Sequence, residues 1–126
     1  MNTIKTEIAT IERAQDEWIN NLLSYDEQLQ NIDSITKQLQ FTVNDLYFQR
    51  ELQQLRNKIV MQKNVVSELT QEAINFTEQF AGRSKSEALT LSDLIIKNRM
   101  RDKVRKTEQA VFLLKYQVSK LLSIAS

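Results

Sequence analysis

The sequence predicts an all-α protein, an elongated up-down-up three-helix bundle with coiled-coil-like packing. Three observations carry this. The chain has no proline and a single glycine, Gly82, so it cannot supply the many tight turns of a strand-rich fold. Apolar residues recur three and four positions apart along most of the length, the period of an amphipathic helix. That recurrence breaks at two places, which divides the chain into three stretches of similar length. The remaining positions are rich in Gln, Glu, Lys and Arg, all good helix formers. With 126 residues and 41 % hydrophobic content, a single domain over residues 1–126 is expected, with helices at about 2–42, 45–80 and 91–124.

The first helix has its seam at Ile4, Ile8, Ile11, Trp18, Leu22, Tyr25, Leu29, Ile32, Leu39, Val43 and Leu46, with Gln15 and Thr36 filling the gaps. The second has Leu52, Leu55, Ile59, Val66, Leu69, Ala73, Phe76 and Phe80, with Gln62 as its polar member. The two seams are out of phase. Between them lies FTVNDLYF, residues 41–48, where Asn44 and Asp45 are turn and N-cap residues. A tight connection is therefore expected near residues 42–45. QNIDS, residues 30–34, offers a competing break, because Asp33 or Ser34 could cap a new helix.

The second connection is AGRSKSEALT, residues 81–90, with Gly82 as a helix stop. Its RSKSE core has few apolar anchors, so trypsin is expected to cut first at Arg83 or Lys85. Thr90-Leu91-Ser92-Asp93 then reads as a capping arrangement, with the carboxylate three residues after the hydroxyl. The third seam follows at Ile96, Met100, Val104, Thr107, Val111, Leu114, Val118, Leu121 and Ala125. Polar members of a seam, Gln15 and Gln62, can fix register at a cost in stability.

Charge is unevenly placed although the chain as a whole carries +1. KNRMRDKVRK, residues 97–106, holds six bases and one acid. On a helix these bases form two ridges beside the seam, Lys97, Arg101 and Arg105 on one side and Arg99, Lys103 and Lys106 on the other. Residues 1–33 carry Lys5 and Arg13 against seven acids, a net of −5. In an up-down-up bundle the first and third helices run parallel, which puts the ridges level with Glu12, Asp16 and Glu17. The expected role of the ridges is to face the first helix, pairing with those acids and so selecting neighbour and direction, or simply to stay solvated. As a basic surface for nucleic acid or an anionic membrane they form the alternative reading. Asp102 and Glu108 interrupt that surface, and no aromatic residue within the cluster offers a stacking platform.

Catalysis finds little foothold. The chain has no Cys and no His, which removes thiolate nucleophiles, imidazole acid–base pairs and most transition-metal sites. One glycine cannot build a phosphate-cradling loop. No enzyme activity, cofactor, metal or small-molecule substrate is expected. No apolar run of membrane-spanning length appears, and the N-terminal stretch lacks the apolar core of a signal peptide. The absence of Cys suits a reducing compartment, so a cytoplasmic location is expected. The third helix carries more apolar surface than one side of a bundle can bury, at Val111-Phe112-Leu113-Leu114 with Tyr116 and Leu122 beside it. Phe112, Leu113 and Tyr116 are the candidate surface for a protein partner or for a homo-oligomer. No motif ties the chain to a particular family. The sequence reading is a non-enzymatic structural or adaptor protein that works through protein–protein interaction or self-assembly.

Overall fold

The fold is described from a computed structural model, which describes the backbone of residues 2–81 and 90–125 and the side chains of residues 9–81 and 90–125. Three helices make up the architecture: α1 (Asn2–Leu39), α2 (Leu46–Ala81) and α3 (Leu91–Ala125), each packed against both others. At about 1.5 Å per residue each helix is roughly 50–60 Å long. Contacts between named residues give their directions. Trp18 meets Phe76, and Asp33 meets Lys63, so α1 and α2 run antiparallel. Lys103 of α3 meets Glu72 of α2, while Gln28 meets Lys115, so α3 runs antiparallel to α2 and parallel to α1. The bundle is up-down-up.

The core is made of the three seams. Ile11, Trp18, Leu22, Tyr25, Leu29, Ile32 and Leu39 face Phe48, Leu52, Leu55, Ile59, Val66, Leu69, Ala73, Phe76 and Phe80, and Met100, Val104, Val111, Leu114, Val118 and Leu121 complete it. Trp18 lies 6.1 Å from Phe76 ring to ring, and Phe76 lies 6.2 Å from Phe80, tying α1 to the far end of α2. Two seam threonines are fully enclosed and satisfied by their own helices. Thr36 Oγ1 donates to the Asp33 carbonyl at 2.8 Å, and Thr107 Oγ1 donates to the Lys103 carbonyl at 2.9 Å. Gln15 is also buried, but its Nε2 finds no partner, the cost of a polar residue in an apolar seam.

α1 ends about three residues earlier than the sequence predicts, which lengthens the first connection on that side. α1 ends at Leu39, and a turn follows in which Thr42 N donates to the Leu39 carbonyl at 3.2 Å. Val43 is half-buried in the connection, and Leu46, expected in the first seam, instead opens α2 and is 67 % exposed. Asp45 is the N-cap, its Oδ1 accepting from Tyr47 N at 3.3 Å while its carbonyl accepts from Gln49 N at 3.0 Å. Gln49 then holds the turn from inside α2, donating from Nε2 to the carbonyls of Gln40 and Val43 at 3.1 and 2.7 Å. The competing break at residues 30–34 does not form. α1 passes through it unbroken.

Residues 82–89, with Gly82 and the expected trypsin sites, lie outside the described residues. At the start of α3 the capping arrangement is present in both directions. Asp93 N donates to Thr90 Oγ1 at 3.2 Å, and Thr90 N donates to Asp93 Oδ2 at 2.9 Å. Among the described residues, no helix is long and apolar enough to cross a membrane.

Candidate interaction surface on the third helix

A helix in a three-helix bundle meets two neighbours and turns its remaining face outward. On α3 the buried residues are Asp93, Met100, Val104, Thr107, Val111, Leu114, Val118 and Leu121. Phe112 and Leu113 stand one and two positions past Val111, which at 3.6 residues per turn carries them round to the outside. Phe112 is 73 % exposed, Leu113 53 % and Tyr116 52 %. Ile124, 67 % exposed, continues the apolar surface toward the C-terminal end. Lys120 Nζ sits 4.7 Å above the Tyr116 ring, so its cation covers one face of that aromatic. Phe112 also lines a groove of ≈ 570 Å³ between α1 and α3, with Tyr25, Gln28, Arg105, Glu108 and Lys115 around it.

The groove floor is organised by Tyr25. Burial pushes its phenol above the ordinary value, and the Glu108 carboxylate adds to this both by charge and by accepting the hydroxyl. Nearby, Lys115 Nζ donates to Gln28 Oε1 at 3.2 Å. Between them these contacts fix α3 against α1.

The six bases divide as the helix period predicts, but they do not meet the expected partners. Lys103 pairs with Glu72 of α2 at 3.3 Å, and Lys103 and Lys106 line a groove with Gln62, Val65, Glu68 and Leu69. Arg101 reaches Asp102, its neighbour in sequence, at 3.7 Å. Lys97 is half-buried, and Arg99, Arg105 and Lys106 are exposed. Among the described residues no base of this cluster pairs with Glu12, Asp16 or Glu17. The levels agree with expectation, since the Tyr25–Glu108 and Gln28–Lys115 contacts bring the cluster beside those acids. The directions differ for two of the three. Tyr25 and Gln28 mark the α3 side of α1, and Asp33 marks the α2 side. Counting round α1, Glu12 and Asp16 fall on the outer surface toward α2, whereas Glu17, eleven positions before Gln28, falls on the α3 side and stays exposed with no ion pair among the described residues.

A charged contact that the sequence reading did not identify lies between α1 and α2. Asp33, almost wholly buried, accepts from Lys63 Nζ at 3.2 Å and meets Lys37 at 3.4 Å. Burial alone would raise its carboxyl, but hydrogen bonding and charge from Lys63 and then Lys37 outweigh this and hold it below the ordinary range. Among the described residues, no cluster of three metal-ligating side chains occurs. A further groove of ≈ 290 Å³ lies where α2 begins and α3 ends, lined by Tyr47, Phe48, Leu55, Lys58, Lys120 and Ile124. Compared with protein-family models, with curated proteins and with solved structures, the chain has no match.

Proposed function

We propose that this protein is a non-enzymatic helical-bundle component that works by protein–protein interaction, through association with further copies of itself or with another protein. The observation that supports the reading is the outer face of α3, where Phe112, Leu113 and Tyr116 stand together in solvent. A single exposed apolar residue is ordinary on any surface, but three adjacent ones on one helix face form a patch of the kind that marks partner surfaces. Covering a side chain of this size contributes roughly 1.5–3 kcal/mol, and association draws on several together to offset the entropy of docking. The alternative reading, a nucleic-acid or anionic-membrane surface at residues 97–106, has less support. Lys103 is engaged by Glu72, and Asp102 stands between the two ridges beside Arg101.

The test replaces the patch without touching the core. Phe112→Ser combined with Leu113→Ser is expected to lower the molar mass seen by light scattering while the helical circular dichroism signal persists. Loss of the helical signal would place both residues in the fold rather than in a contact surface. An unchanged mass would remove them from the interface.

A further inference from the structure

Two outer faces of the bundle carry the same spacing in opposite chemistry. On α1 the exposed residues Glu12, Asp16, Leu23 and Glu27 follow steps of four, seven and four, which keeps them on one stripe. On α3 the exposed residues Arg101, Arg105, Phe112 and Tyr116 follow the same steps in the same direction. In each stripe two like charges lead, one large apolar residue follows, and a hydrogen-bonding residue closes. Leu23 is 57 % exposed and Phe112 73 %. Among the described residues, Glu12, Asp16, Glu27 and Arg105 take part in no ion pair, and Arg101 has only its neighbour Asp102. The two stripes belong to helices that are neighbours in the bundle, but the α1 stripe is turned toward α2, so one chain cannot bring them together.

We propose that the outer face of α3 docks, parallel and in register, on the outer face of α1 of a second copy of this chain. Arg101 then stands opposite the partner's Glu12, Arg105 opposite the partner's Asp16, Phe112 on the partner's Leu23, and the Tyr116 hydroxyl donates to the partner's Glu27. This rests on the reading that the α3 outer face is an interaction surface, and it names the occupant. Pairing α3 with α3 is a poorer fit. An antiparallel arrangement centred on Phe112 sets Arg101 and Arg105 against Ser123 and Ser119, with Lys120 beside them and no acid to receive them. The α3 stripe borders the groove between α1 and α3, where Arg105 and Phe112 lie, while the α1 stripe turns toward α2. The two stripes therefore face different directions and cannot both meet one second copy. The contact is heterologous, and assembly continues into a ring or a filament rather than stopping at two copies.

The test is a charge exchange read by sedimentation velocity. One variant carries Arg101→Glu and Arg105→Glu, the other Glu12→Arg and Asp16→Arg. Each alone is expected to weaken self-association at least about tenfold, since two attractions become repulsions. An equimolar mixture of the two should regain association, because each reversed stripe then meets its complement on the other variant. Thermal unfolding of each variant at low concentration checks the fold. Should a reversed variant unfold, Arg101→Gln with Arg105→Gln replaces it, and it should associate less than wild type with a weaker dependence on salt. A mixture that fails to reassociate overturns the pairing. If the Phe112→Ser, Leu113→Ser variant loses mass under the same conditions, the interaction surface stands and only this occupant falls. A wild-type chain that remains monomeric at millimolar concentration also overturns it. Sedimentation of that monomer with phosphatidylserine vesicles would then give the face to a membrane, and absence of vesicle binding would give it to a different protein.

Discussion

Asp33 shows how a single residue escapes a reading based on period. It sits next to the seam residue Ile32 and looks, in sequence, like a cap for a new helix. In the fold it is enclosed within α1 and receives Lys63 from α2 at 3.2 Å. A signal was present in the pattern. One of the two polar gaps of the first seam, Thr36, lies close to the level of the polar gap of the second, Gln62, and each of these gaps has a charged residue within three positions. Removing this carboxylate leaves Lys63 without its buried partner, so Asp33→Ala is expected to cost about 1–3 kcal/mol. The pH dependence follows from the lowered carboxyl. The ion pair's stabilisation is complete above the unfolded carboxylate value, near pH 4, and is lost as pH falls through the lower folded value. Denaturant titrations should show wild type losing more stability than Asp33→Asn on acidification below roughly pH 4. Equal losses in the two proteins would remove Asp33 from the acid response.

At the scale of the element, helix seams and ends were the most legible features. Each helix buries most of its predicted three-four residues because packing three long helices leaves little choice of inward face. The Thr90–Asp93 cap could be read directly, since its chemistry is local and needs no tertiary information. Asp93→Ala is expected to destabilise the protein by about 1 kcal/mol, with amide exchange rising first in the opening turn of α3. Exchange that rises uniformly along α3 would show that the cap does not act locally. The α1–α2 connection was legible in place but not in detail. Gln49, a mid-turn helix former by propensity, holds two carbonyls of the preceding loop, and no local rule announces a bond that reaches back six and nine residues. Phe48 is buried at 2 % exposure, although the predicted second seam begins only at Leu52; it stands one turn before Leu52 on the same face of α2.

For the whole molecule, sequence periodicity determines which face of each helix turns inward but not the hand in which three helices wrap. That hand decides whether α3 lies on one side of α1 or the other. In this bundle Gln28 faces α3 while Glu12 and Asp16 turn toward α2, so these two acids, at the right level, still miss the bases of residues 97–106. The exposure of Phe112 and Leu113, by contrast, was legible from their offset to Val111 and Leu114 alone. The proposed function and the proposed contact between copies both draw on this division between an inward seam and an outward stripe.

The most direct measurement is the molar mass of the wild-type chain by sedimentation equilibrium, from micromolar to millimolar concentration and at two salt levels. The mass is expected to climb above the 14.8 kDa of one chain as concentration rises, to pass two copies without a plateau, and to climb less at high salt. A mass that stays at 14.8 kDa throughout would contradict the proposed contact between copies.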